Sequence, residues 1–318
     1  MRILSLFDGI SCGRIALQRA GISNEKYYAS EIEKSAIKIS KSNWFDIEHL
    51  GDINYWWTWD IDWSSIDLIL AGSPCQGFSF AGKQLAFNDP RSKLFFTFVE
   101  ILNHIRSLNP NIKFLLENVK MKKEYLTVIS NTLGVEPVFI NSSLVSAQNR
   151  QRYYWCNWDI TQPNDKKILL SDIIEQGVVD RDKSFCIDAN YWKGGNVEQY
   201  IRKNRRQIAF TERRTEEAKR IRREYKQLYG KDFCPRRAKE LVAREDGKMN
   251  CLTATFSTKE HTLIDEKLYY RKLTPVECER LQTIPDNYTS SVSNTQRYKA
   301  LGNGWTVDVI AHILRQMK

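Results

Sequence analysis

The sequence predicts an α/β protein. Its core is a mostly parallel sheet covered by helices on both faces, and a smaller basic segment is inserted before the C-terminal stretch. Two observations predict this. Over residues 1–160, short apolar runs alternate with stretches of helical apolar spacing. Over residues 181–250, Lys and Arg far outnumber Asp and Glu, so most of the net charge of +10 lies in under a quarter of the 318 residues.

The elements follow in order. RILSLF (2–7) reads as a strand, and CGRIALQRAG (12–21) as a helix that Gly21 stops. KYYASEI ends a second strand near Glu31, and SAIKISKSN continues as a helix. GDI (51–53) closes a presumed third strand. WWTWDIDW (56–63) has no clear period and reads as a cap over the sheet edge. IDLILAG is a strand, SKLFFTFVEILNHIRSL a helix, KFLLENV a strand and EYLTVISNTLG a helix. VEPVFINSSLVSAQNRQRYYWCNW reads as two strands around a polar turn. In the basic segment, TERRTEEAKRIRREYKQLYG has the charge pattern of a solvated helix ending at Gly230. RKLTPVECERLQ reads as a turn and helix, and GNGWTVDVIAHILRQM as a loop and helix.

Composition narrows the function. With 42% hydrophobic and 27% charged residues the chain is an ordinary globular one. No apolar run approaches the roughly 20 residues of a membrane span, and no signal-peptide pattern opens the chain, so a cytoplasmic protein is expected. The seven cysteines include no C-x-x-C and the four histidines are scattered, which argues against a disulfide framework and a metal site. The positive charge points to nucleic acid as partner.

The chemistry collects at predicted strand ends, where open α/β sheets bind ligands. FDGISCG (7–13) follows the first strand and opens a helix, but it is not G-x-G-x-x-G, which disfavours a dinucleotide. Glu31 ends the second strand, where a carboxylate can accept from both ribose hydroxyls, and Asp52 ends the third, where it can accept from an adenine amino group. That set suits adenosine without phosphates, as in S-adenosylmethionine. SPCQ (73–76) lifts Cys75 to a strand-to-helix turn, a place for a nucleophile. Glu117 in ENV lies at the mouth of the next strand, as either a functional acid or a loop anchor. QNRQR (148–152) sets Arg150 and Arg152 two apart on a strand and so facing one way, which suggests an anionic substrate. No Ser–His–Asp or Cys–His arrangement is evident, which counts against a hydrolase.

The set FDGISCG, Glu31, GDI, GSPCQGFS, ENV, QNRQR, RKLTPVECERLQTIPDNY and GNGWTV resembles the cytosine-C5 DNA methyltransferases, in that family's order and over nearly the whole chain except about 180–250. FDGIS is similar to the de novo type, also found in bacteria and phages. The resemblance implies a Rossmann-like S-adenosylmethionine-dependent methyltransferase sheet with a small inserted target-recognition domain. Residues 1–178 and 269–318 would form the catalytic and cofactor-binding domain, and 179–268 the inserted one. It implies that Cys75 attacks C6 of a flipped-out cytosine in duplex DNA, that Glu117 protonates or hydrogen-bonds N3, and that Asn118 shapes the pocket. Arg150 and Arg152, introduced by Gln148, would orient the target nucleotide. S-adenosylmethionine, leaving as S-adenosylhomocysteine, would contact Phe7, Asp8, Gly9, Ile10, Gly13, Glu31, Ile32, Asp52, Ile53, Pro74, Leu94, Asn303, Gly304 and Val307. DNA would be met by Ser79, Lys83 and Gln84 in a mobile loop and by Arg205, Arg206, Thr253 and Thr255. No metal is implied. The expected protein is a monomer in a bacterial or phage-infected cell, with a cognate restriction endonuclease as a further partner. A tRNA cytosine-C5 methyltransferase and a non-catalytic DNA-binding relative are the alternatives.

Overall fold

The structure, a computed structural model, describes residues 1–73, 93–193, 200, 203–211, 216–230, 239–241 and 268–317. The main sheet has seven strands: β1 (Arg2–Leu6), β2 (Lys26–Ser30), β3 (Ile47–Gly51), β4 (Leu68–Ala71), β5 (Lys113–Val119), β6 (Val138–Asn141) and β7 (Gln151–Cys156). Their spatial order is β3-β2-β1-β4-β5-β7-β6. The first five are parallel, and β7 runs antiparallel to both β5 and β6.

Alternate residues of the central strands feed two separate cores. Ile3, Leu68, Leu70, Leu115 and Tyr154 enter one, with α1 (Cys12–Ala20), α2 (Lys34–Asn43) and α8 (Val307–Leu314) over them. Leu4, Leu6, Ile69, Phe114, Leu116 and Trp155 enter the other, beneath α3 (Lys93–Leu108) and α4 (Lys123–Leu133). Both faces are apolar because both are covered, which is why β4 reads as the unbroken run LILA rather than as an alternation. The helix stops obey the local chemistry: Gly21 adopts φ 74° and donates its N–H back to Gln18 and Leu17. The tryptophan segment forms two short 3-10 turns, Ile53–Thr58 and Trp63–Ser65. Trp59 stacks on Trp63 at 6.1 Å, and Trp56 and Trp63 close around His104 of α3. The cap lies on a covering helix of the second core.

Three further strands, β8 (Ile208–Thr211), β9 (Lys239–Leu241) and β10 (Leu268–Lys272), form an antiparallel sheet in the order β8-β10-β9. The basic helix is α5 (Glu216–Tyr229), followed by Gly230 at φ 66°. Four elements escape the sequence reading: β8, β9, β10 and α7 (Asn294–Asn303), which has a Ser293–Gln296 capping box. The predicted turn and helix at RKLTPVECERLQ contains α6 (Pro275–Leu281), started by a Thr274–Glu277 capping box with proline in the first turn. Glu277, fully buried, also receives a bidentate pair from Arg271 of β10 (2.6 and 2.7 Å), which ties the small sheet to α6. Ile187, Tyr191 and Ala209, within the span assigned to the inserted domain, are buried in the same cluster as the main sheet.

Candidate active site

In this strand order the chain leaves β1 toward β2 and β3 on one side, and β4 and β5 lie on the other. The ends of β1 and β4 therefore flank a topological switch point. A cleft of about 350 Å³ opens there, continuing to the ends of β2, β3 and β5 and closed by the α7–α8 junction.

The loop after β1 is wound tightly. Phe7, Gly9 and Ser11 all have φ near +60°, a left-handed conformation that costs a non-glycine residue about 1 kcal/mol or more. The neighbouring strand holds it there. The Asp8 N–H donates to the Ser30 carbonyl (3.0 Å) and the Gly9 N–H to Glu31 Oε2 (2.8 Å). Glu31 Oε1 accepts from the N–H groups of Ile32 and Glu33, both at 2.8 Å, so one carboxylate joins the β1 loop to the start of α2. Asp8 is buried, and its carboxylate accepts from Tyr27 Oη (2.7 Å) and Ser11 Oγ (2.6 Å). Burial raises its pKa and the Ser11 bond opposes the rise. Asp52 caps the turn after β3, accepting from the Asn54 backbone and side chain at 2.9 Å each. Across the cleft the backbone at Gly72 lies so near Trp305 that a Cβ there would meet Nε1 at 2.7 Å.

At the other end, Arg152 Nε donates to Glu117 Oε1 at 2.7 Å, with the two side chains only 14% and 11% exposed. Strand register explains the pair: Val119 is the partner of Arg152 in the β5–β7 ladder, so Glu117 is its diagonal neighbour on the same face. Next to it the buried Asn118 donates to Ser73 Oγ (3.1 Å), tying β5 to the residue that precedes Pro74. Arg150 lies one residue before β7 and is 4% exposed. Its guanidinium donates to the carbonyls of Ile187 (3.1 Å), Gly302 (3.3 Å) and Gly304 (2.9 Å) and to Cys186 Sγ (3.3 Å). The two arginines therefore serve different partners. Gln148, fully buried, bridges the Leu281 carbonyl (3.2 Å) and the Ile187 N–H (2.9 Å).

The structure thus brings Phe7, Asp8, Gly9, Ile10, Glu31, Ile32, Asp52, Ile53, Leu94, Glu117, Asn118, Arg150, Arg152, Asn303 and Gly304 around one cleft. Gly13, Gln148 and Val307 lie behind its lining. Gly13 packs there on Leu70 and Tyr27. Arg205 pairs with Asp188, neither of them a lining residue, and Arg206 has φ 58°. Pro74, Cys75, Ser79, Lys83, Gln84, Thr253 and Thr255 lie outside the described residues. Sequence reasoning missed Cys12, Glu33, Ser73, Lys299 and Trp305, which also line the cleft. Ser73 and Trp305 stand inside the quoted motifs SPCQ and GNGWTV and could have been found, whereas Glu33 and Lys299 meet only in three dimensions. Burial pushes the Cys12 thiol up to about 12, so it stays a neutral thiol at physiological pH.

Asp8, Glu31, Asp52 and Glu117 give the lining a carboxylate character. Such a site repels phosphate and accepts hydrogen bonds from hydroxyl and amino groups, which fits a nucleoside without phosphates. Among the described residues no group of three His, Cys, Asp or Glu is placed to hold a metal, and no helix is long and apolar enough to cross a membrane.

Known proteins resemble this chain along its length. The type II methyltransferase M1.ScrFI of Lactococcus lactis subsp. cremoris is 32% identical, over 99% of this chain and 77% of its own length. M.HpaII of Haemophilus parainfluenzae is 29% identical over 96% and 86%. Among solved structures, DNMT2 of Spodoptera frugiperda superposes with a TM-score of 0.59 at 21% identity, covering 98% of each chain. A putative DNA modification methyltransferase from an Escherichia coli prophage gives 0.57 at 19%, covering 100% of this chain and 98% of its own. These two share the fold. The family model for C-5 cytosine-specific DNA methylase matches residues 1–318, cleft and basic segment together. The chain belongs to that family, whose members methylate cytosine in DNA with S-adenosylmethionine.

Proposed function

We propose that the chain methylates C5 of a cytosine flipped out of duplex DNA, with Cys75 as nucleophile and Glu117 as the acid facing the base. The observation that supports this most is the Glu117–Arg152 pair, held on one face by strand register beside the Asn118–Ser73 bond. Cytosine C5 is a poor nucleophile. Attack of the Cys75 thiolate on C6, with N3 protonated or hydrogen-bonded by Glu117, moves electron density to C5. S-adenosylmethionine supplies an electrophilic methyl group and leaves as S-adenosylhomocysteine. Loss of the C5 proton then expels the Cys75 thiolate and restores the aromatic base. Arg152 orients Glu117 and the nucleotide. Arg150 and Gln148 fix the backbone around them through the carbonyls and N–H group they hold.

The residues at the ends of β1, β2 and β3 fit the cofactor. Gly9 keeps the loop free of a side chain, Glu31 faces the ribose hydroxyls, and Asp52 faces the adenine amino group, with Phe7, Ile32, Ile53 and Leu94 as apolar walls. DNA lies against the basic segment of residues 179–268, where Arg205, Arg206, Thr253 and Thr255 contact it, with Ser79, Lys83 and Gln84 from the active-site loop. The protein acts as a monomer, in the cytoplasm, as the modification half of a restriction–modification pair.

The test uses tritiated S-adenosylmethionine with duplex DNA and tRNA as competing acceptors. Label is expected at cytosine C5 of DNA. Cys75→Ser should abolish transfer, and Glu117→Gln should lower kcat by about 10²–10⁴-fold. Label at N4, transfer to tRNA alone, or full activity of Cys75→Ser would refute the proposal.

A further inference from the structure

The last two turns of α5 have chemically different sides. Arg222, Tyr225, Lys226 and Tyr229 are spaced i, i+3, i+4 and i+7, which puts them on one stripe of the helix. Glu224, the single carboxylate in residues 220–230, lies two positions from Arg222 and so about 200° round the helix. Arg220 is on that opposite side and pairs with Glu224 at 3.6 Å. The stripe therefore carries two cations and two phenols and no acid.

The Tyr225 and Tyr229 rings lie 4.6 Å apart, so they brace each other along the last turn. Gly230 closes that turn, its N–H donating to the Lys226 carbonyl at 3.0 Å. Lys226 is exposed, Tyr229 is 63% exposed, and Arg222 and Tyr225 are half-buried. Helix stability by itself accounts for the Arg220–Glu224 pair. It gives no reason to gather cations and aromatic hydroxyls on one side and turn the acid to the other. A polyanion lying against the stripe does.

α5 belongs to the connection between β8 and β9, the outer strands of the small sheet. The family acts on DNA, and a duplex carries one negative charge per about 1.7 Å of axis. Arg222 and Lys226 are four residues apart, about 6 Å along the helix, so their long side chains reach neighbouring phosphates of one strand. Lysine and tyrosine offer single donors, which suit phosphate oxygens. Reading a base takes a bidentate group, and on this stripe only Arg222 is one.

We infer that this face of α5 lies along the phosphate backbone of the DNA and supplies affinity without choosing sequence. This rests on the reading of duplex DNA as substrate, and it names the element of the basic segment that tracks the backbone and the side it uses.

Fluorescence anisotropy with a labelled duplex, followed from about 50 to 200 mM salt, tests it. Glutamine keeps helix propensity at each position. Arg222→Gln and Lys226→Gln should each weaken binding about tenfold at the lower salt and flatten the log–log salt slope by about one. Arg220→Gln removes the same charge from the other side of the helix and should leave the slope within about a third of the parent value's unit step. Bisulfite sequencing should find the same set of methylated cytosines for both stripe variants as for the parent. Equal flattening in Arg220→Gln would mean that charge acts at a distance with no docked face. No flattening in the stripe variants would leave the stripe as a solvated surface. A changed set of methylated cytosines would make α5 a reader of bases. Each of these overturns the inference. A parent protein that bound no duplex DNA would instead bring down the reading of the substrate.

Discussion

Replacing Arg150 with alanine separates two roles for this arginine. The family resemblance has it orienting the target nucleotide, whereas its bonds place it as a brace under the cleft. The guanidinium is almost fully buried and donates to the carbonyls of Ile187, Gly302 and Gly304. Gly304 also accepts from Gln282 Nε2 (3.1 Å) and would stay satisfied. Ile187 and Gly302 would each lose a charged donor. Two buried carbonyls left short cost about 1–3 kcal/mol each, and the vacated volume adds to this, so about 3–5 kcal/mol is expected. For a chain of 318 residues that lowers Tm by about 4–8 °C. Thermal melts of Arg150→Ala and Arg150→Lys should both show a drop, with lysine the milder because it keeps the charge but not the fork. The salt dependence of DNA binding should keep its slope, since no phosphate contact is lost. An unchanged Tm together with a log–log salt slope shallower by about one would refute the brace and assign Arg150 to a phosphate.

Other outcomes follow from the same geometry. Gly302→Ala would set a Cβ 2.2–2.3 Å from the backbone of Asp188 and Ala189, so its Tm should fall by several degrees or soluble protein be lost; a parental melt would contradict that packing. Arg152→Ala should lower kcat by about 10²–10³-fold while leaving S-adenosylhomocysteine affinity unchanged; a loss confined to cofactor affinity would move Arg152 out of the base pocket. The Cys12 and Cys156 thiols, raised by burial from 9.0 to about 12 and about 11, favour the folded state fully below pH 9 and lose that contribution as pH rises through those values. Urea midpoints should therefore fall above pH 9, more gently in Cys12→Ala, and mass spectrometry should find both thiols unlabelled by iodoacetamide at pH 8 in the native protein. Equal steepness in Cys12→Ala, or rapid native labelling of Cys12, would contradict its burial.

What could be read from the sequence, and what could not, divides along physical lines. KFLLENV reads as a strand and is one over the same residues, because an apolar run buried on both faces needs only local information. α1 ends where Gly21 supplies a left-handed cap, again a local device. β10 was missed because LYYRK has no apolar alternation: Arg271 is buried, and Glu277 of α6 is what makes that tolerable. α7 was missed for the same reason, since Arg297 occupies a core position by pairing with the fully buried Glu279. A buried charge looks exposed in sequence until its partner is known, and the partner comes from another element. The site follows this rule. Glu31, Asp52 and Glu117 could be named because strand ends announce themselves. That Glu117 meets Arg152 follows from ladder register, and that Arg150 meets three carbonyls has no signature at all, because every residue carries a carbonyl. Arginines two apart look equivalent in sequence, and only the choice of acceptor, a carboxylate for one and backbone for the other, separates the residue that can work on a base from the residue that holds the floor beneath it.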